Sequence, residues 1–376
     1  MIKQQILTAL DENDMVIVNA GSSAGTEDYT VHILREVGEV VVHGVAIKPG
    51  KPVMLAIVKG KPVIGLPGYP VSAYIAFELF CNPVMQLFSG NESRDMKMID
   101  AVISKRIVSS LKHREYVRVK VGKVDDKYIA APLARGAGAA MSLVKADGFC
   151  VIEQKSEGYE AGENVKVDLY KSTDAIDNTL VSIGSHDVIL DIISDMMSRQ
   201  HSGMNLSSTH VGSMGGLMAM KRGETTIAPC HLLDEKTGVY NDSYVKNLFP
   251  EKDMVIIKGV ERIQGIMVKK GNPLGINCIE DIVSHRFINR QRGAGTRLLF
   301  DYKLKQLGIN PEEIDGYDKE ATTHMAVAAL ISSENADAGM GIASAAVAMN
   351  LDFIEVGPAE YDFVIERKNL EKPYYS

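Results

Sequence analysis

Apolar and polar positions divide the chain into stretches with different periods. Residues 2–13 put Ile2, Ile6, Leu7 and Leu10 on one helical face. Met15–Asn19 is a short, nearly continuous apolar run, the mark of a strand buried on both sides of a parallel sheet. The small-residue loop Ala20–Thr26 leads from it into a helix over about 28–37. Residues 53–58 and 62–66 read as a hairpin over Lys59–Lys61, and Tyr74–Phe88 as a largely apolar helix interrupted by Pro83. From Ile99 to Tyr170 the pattern changes to short strands and turns. Val117, Val119 and Val121 alternate there with charged residues, a half-exposed strand in a small all-β domain or barrel. After a polar linker, 171–178, strands again feed helices, which implies parallel pairing in a two-lobed α/β domain. The predicted division is 1–90, 91–172 and 178–376.

At 376 residues the chain is long enough for two or three domains, and 45% hydrophobic with 24% charged residues is ordinary for a globular protein. The net charge of −7 argues against nucleic acid as a partner, so an anionic ligand has to be held by local groups. Four scattered cysteines suggest neither a zinc site nor a disulfide framework and fit a reducing compartment. The acidic residues near the start do not fit a signal peptide, and no stretch reads as a run of about 20 apolar residues. The expectation is a cytoplasmic protein without a membrane partner.

Candidate chemistry gathers in the first 72 residues. The loop with Gly21, Ser23 and Gly25 runs from a strand into a helix start, where unpaired N–H groups and the helix dipole favour an anion. Asp28, at that helix start, either caps the helix or holds Mg²⁺ beside a phosphate. Lys48 and Lys51, in K-P-G-K-P, can aim two ammonium groups at one oxyanion. Pro67 and Pro70, with Ser72 following, shape a second strand-to-helix turn. In the last 200 residues, Ser185, Ser213 and Thr296 each stand near a predicted helix start beside small residues, with Gly295 in the turn before Thr296. Hydroxyls and N–H groups converging there suit an oxyanion, to which Arg297 adds a charge or else faces solvent. His231 and His324 receive no role.

NAGSSAGTEDYT, AIKPGKP and GLPGYPVSA, in this order and spacing, resemble the third domain of the molybdopterin molybdotransferase family, which includes MoeA and the E domain of gephyrin. The β region resembles that family's C-terminal barrel. The resemblance implies molybdate insertion into adenylylated molybdopterin with Mg²⁺. It places Asp28 at the metal and pterin site and Lys48 and Lys51 at molybdate. Gly21, Ser23, Gly25, Pro67, Pro70 and Ser72 fall in the substrate turns, with Arg114 and Ser142 as barrel contributions. Tyr69 stands where the family usually has asparagine, and Ala20 where it has the first loop glycine. The family's first two domains and the opening of its third have no counterpart in these residues. A homodimer, or another chain supplying that remainder, is therefore expected, unless the sequence is a piece of a longer protein. The last 200 residues resemble a periplasmic-binding-protein-like fold, as in molybdate-binding proteins and LysR-type effector domains. The function implied is molybdenum-cofactor biosynthesis with a C-terminal anion-binding domain. The alternative is a non-catalytic ligand-binding sensor or scaffold.

Overall fold

The structure is a computed structural model that describes residues 1–19, 29–91, 97–200, 203–234 and 236–371. It forms two compact units, Met1–Leu180 with Gly203–Thr209, and Val181–Ser202 with His210–Ser376.

The first unit opens with a four-stranded sheet. Val16–Asn19 pairs in parallel with Lys61–Leu66, which pairs antiparallel with Met54–Val58, which pairs antiparallel with Glu39–His43. The hairpin expected over Lys59–Lys61 is present. Lys59 and Gly60 both take positive φ, as a tight two-residue turn between twisted strands requires. Helices Ile2–Glu12 and Tyr29–Val37 bury Ile6, Leu10 and Leu34 against Ala56, Val58 and Val63 on one face.

The other face is covered by a continuous helix, Pro70–Ser89, longer than its sequence pattern predicts. Pro83 ends up in the first turn of its last segment, Asn82–Ser89, just after a π-helical turn at Phe77–Cys81. Proline lacks an N–H and crowds the preceding turn, and the widened turn accommodates both effects. With a mean hydropathy of 1.3, this helix is long and apolar enough to cross a membrane, which corrects the expectation that no stretch is. Its Val71, Ile75, Ala76 and Cys81 are nonetheless buried against Val53, Ile64, Ile47 and Phe149.

The β region is a five-stranded closed barrel. Its strands run in the order Gly148–Ile152, Asn164–Leu169, Lys97–Ile103, Lys127–Pro132 and Arg114–Val124, and the last pairs back with the first. Alternate residues Val117, Val119 and Val121 fill its interior with Ile103, Val167 and Ile152. The short strand Ile47–Lys48 joins the barrel sheet by pairing in parallel with Arg114 and Glu115. That pairing brings the lysine turn to the barrel.

In the second unit two 15-residue strands, Met254–Val268 and Asp352–Glu366, run antiparallel through the sheet. At one end Ile227–Cys230 pairs with the second of them, and the strand ending at Gly184 adds in parallel. At the other end Ala338–Ile342 pairs with the first, followed by Phe287–Arg290 and Glu320–Ala321. The two lobes expected here are thus joined by two long strands. Met254–Val268 was not foreseen, because Lys258, Gly259, Glu261 and Arg262 break its apolar run.

Candidate functional site

In the first unit, three segments meet around Lys48. Gly50 has φ +112, and a Cβ there would stand 3.0 Å from the Ile47 side chain and 3.5 Å from the Ser72 carbonyl oxygen. A glycine therefore lets the K-P-G-K-P turn lie directly on the Pro70 helix. The barrel loop after Pro132 reaches the same helix start. The Val71 N–H donates to the Ala137 carbonyl at 3.2 Å, and Gly138 packs against the Tyr69 ring. Buried Arg118 fixes that loop from below by donating to the carbonyls of Ala134 and Gly136.

At the junction lies Glu115, 2% exposed. Its carboxylate accepts from Ser109 Oγ at 2.7 Å and from Arg135 Nη1 at 3.2 Å, and lies 3.5 Å from Lys48 Nζ. Both cations are partly exposed, so a buried anion holds two solvent-facing cations in place. The geometry can present two cations to an anionic ligand, with Glu115 lowering their net charge.

The structure brings Lys48, Lys51, Pro67, Pro70 and Ser72 into this region. Arg114 it does not: adjacent residues of a strand point to opposite faces, and this guanidinium pairs with Glu153 at 2.9 Å over the Tyr116 ring. Arg135, unforeseen, holds the place beside Lys48. Ser142 is on the short helix Ala140–Lys145, not in a loop, and its buried hydroxyl donates to the Ala139 carbonyl at 2.6 Å. Gly21, Ser23, Gly25 and Asp28 lie outside the described residues. Among the described residues no three histidine, cysteine or acidic side chains gather as a metal site. Glu115 is tied to two cations, and Asp28, the residue expected to hold Mg²⁺, is not among the described residues.

In the second unit the expected serine and threonine positions surround a residue to which sequence gave no role. The His231 N–H donates to Ser213 Oγ at 3.1 Å, and His231 Nδ1 lies 3.3 Å from the same oxygen. A Cβ at Gly295 would stand 2.0 Å from the His231 ring, so only glycine lets the Gly295–Leu307 helix start that close. Tyr361 lies 6.1 Å from His231, ring to ring, and donates its hydroxyl to the Ser185 carbonyl at 2.8 Å.

The expectation for Arg297 is corrected, and for Ser185 the backbone N–H is already engaged. Ser185 precedes the helix Val188–Gln200, and its N–H is already given to the Pro229 carbonyl at 2.8 Å, because the chain is still paired with the neighbouring strand there. Arg297 neither faces solvent nor offers a free charge. It is buried, bonded to Asp301 at 2.9 Å and stacked 4.0 Å over Tyr317.

Arg290, at the end of its strand, is the other buried guanidinium here, 8% exposed. It donates to the neutral oxygens of Gln291 and Thr322, each at 3.2 Å. Burial lowers it to about 10. Burial, then Arg290, pushes His231 down to about 4. Burial, then Arg290, Arg262 and His231, pushes His324 down to about 3. Both imidazoles are thus neutral at physiological pH. The signal in the sequence was INRQRGAGT, a strand delivering an arginine just before a glycine-rich helix start.

Comparison with known proteins follows the same division. Residues 1–87 match the family of probable molybdopterin binding domains, residues 100–170 the MoeA C-terminal region (domain IV), and residues 194–376 the PBP superfamily domain. An uncharacterized protein of Bacillus subtilis, YvgK, is 37% identical over 191 residues, 50% of this chain and 62% of that protein. A putative molybdopterin biosynthesis protein of Methanocaldococcus jannaschii is 39% identical over 170 residues, 45% of this chain and 40% of that protein. The crystal structure of a molybdopterin biosynthesis MoeA protein from Pyrococcus horikoshii is 36% identical, with a TM-score of 0.39, over 46% of this chain and 41% of that one. The chain spans less than two thirds of the length of each of these relatives.

Proposed function

We propose, from the premise that this chain joins a MoeA-type molybdopterin-binding domain and MoeA domain IV to a PBP-superfamily domain, that it works in molybdenum-cofactor biosynthesis. The first unit binds a molybdopterin-type ligand and presents Lys48 and Lys51 to an oxyanion such as molybdate, for insertion into that ligand. The second unit captures an anion for it. The observation that carries the reading is the meeting of the lysine turn and the barrel loop at buried Glu115, both of them also packed on the helix start after the Pro67–Pro70 turn. Each feature alone is an ordinary turn, but together they place cations and a helix start around one spot.

In this reading Lys48 and Arg135 attract and orient the anion. Glu115 keeps both side chains in position and prevents a net charge so large that a product could not leave. Arg118 and Gly50 shape the backbone that carries them.

A second reading, a ligand-binding sensor or scaffold without turnover, is favoured by the same Glu115, because a carboxylate touching both cations weakens their hold on a reacting anion. Binding and turnover separate the two. Fluorescence titration should detect molybdopterin binding to the full chain, weakened in the Lys48→Ala, Lys51→Ala double variant. Molybdate insertion in the same preparation supports the enzyme, and binding without insertion supports the sensor. No difference in binding between wild type and the double variant would remove the site.

A further inference from the structure

The four-stranded sheet of the first unit has two edges, and the chain treats them differently. Glu39–His43, at one edge, carries Glu39 and His43 and breaks register with its neighbour between Val40 and Val42. Charges and a bulge on an edge strand discourage another strand from pairing with it. Val16–Asn19, at the other edge, has no charge, no proline and no break in register. Among the described residues its only backbone ladder is the parallel one with Lys61–Leu66. Alternate residues therefore turn their N–H and C=O groups outward, without a partner among those residues.

This open edge lies in a groove of about 520 Å³. The helix Ile2–Glu12 lines it with Ile2, Gln5 and Ala9, and Tyr29 and Thr30 line it from the start of the next helix. None of the described residues lining the groove is charged. Ile2 and Tyr29 are exposed, large apolar surfaces beside the open strand.

These features define what fits. Unpaired strand groups are best satisfied by another extended backbone. The uncharged walls give a charged side chain nothing in exchange for its hydration, so the occupant is apolar or neutral along that length. A second copy's own edge strand does not meet this need. Its Val16 and Val18 already pack in its core beside Leu10 and Leu34, which leaves neither free to enter the groove.

We propose that the edge Val16–Asn19 is a docking site for another polypeptide, which adds an extended, uncharged segment to this sheet as a further strand. Alternate apolar side chains of that segment lie against Ile2 and Ala9. The inference concerns how the first unit is completed and is independent of what its lysine turn binds.

Amide hydrogen exchange and calorimetric titration of the full chain with a synthetic peptide test the proposal. The probe is a capped peptide of about seven residues alternating threonine and valine. It should bind and slow exchange across Val16–Asn19 roughly tenfold or more. Ala9→Arg, which puts a long charged side chain into the groove, should weaken binding roughly tenfold or more. Val41→Lys, on the opposite edge strand, should leave it unchanged. Should Ala9→Arg not fold, Ile2→Glu, at an exposed position, makes the same comparison. No binding, protection of other strands instead, or equal binding by a folded groove variant overturns the proposal. So does a concentration-dependent dimer of the chain alone, seen by sedimentation and abolished by the groove variant, which would give the edge to a second copy.

Discussion

Glu115→Gln separates the structural and electrostatic roles of the first-unit site. The substitution keeps the shape and removes the charge that Ser109, Arg135 and Lys48 share. The Ser109 bond, at 2.7 Å, is the best shielded, but an amide oxygen still accepts it, so only its charge-assisted excess is lost, about 1 kcal/mol. Arg135 and Lys48 are 39% and 50% exposed, and their ion pairs are screened to roughly 0–1 kcal/mol each. The sum is a loss of about 1–3 kcal/mol, which for a unit of this size lowers the melting temperature by roughly 2–12 °C. The effect on binding has the opposite sign. An anion held at Lys48 stands some ångströms from Glu115, and removing that repulsion at an effective dielectric near 20, discounted for solvent, gains about 1 kcal/mol, roughly a fivefold rise in affinity. Thermal denaturation and titration calorimetry with molybdate measure the two effects separately. A variant that loses stability and affinity together would show Glu115 to be part of the ligand's own contact set and refute the reasoning.

Gly50→Ala should destabilise the first unit by about 1–2 kcal/mol, since φ +112 is open to glycine and the new Cβ meets Ile47; an unchanged denaturation midpoint would contradict this. His231 and His324, held near 4 and 3, lie below the ordinary value of 6.5, so the unfolded chain takes up protons first as pH falls. Their contribution is complete above pH 6.5 and declines toward pH 4, by about 1.4 kcal/mol per unit for each histidine. Melting temperature should therefore drop between pH 7 and pH 5, and an equally stable protein at both would count against buried neutral imidazoles.

The fold was legible where one period dominated. The valines of Arg114–Val124 announced a barrel strand, and the K-P-G-K-P and G-L-P-G-Y-P turns announced the site in the first unit. Contacts made by register were not. Nothing local distinguishes Arg114 from Arg135. Only the parallel pairing of Ile47–Lys48 with Arg114–Glu115 decides that Glu115 and not its neighbour turns to Lys48. In the second unit, Arg297 looked like the available cation because it opens a helix. Its pairing with Asp301, four residues on, and with Tyr317, from a later turn, consumes that charge. Arg290 sits at a strand end, and its uncompensated burial follows from packing alone.

The central claim is that the first unit holds an anion at the lysine turn. Crystals of the full chain soaked in tungstate test it most directly, because the metal's anomalous scattering locates the ion without reference to activity. The account predicts a peak within hydrogen-bonding reach of Lys48 Nζ, lost in the Lys48→Ala, Lys51→Ala variant. Tungstate confined to other surfaces, with the lysine turn unoccupied, would contradict it.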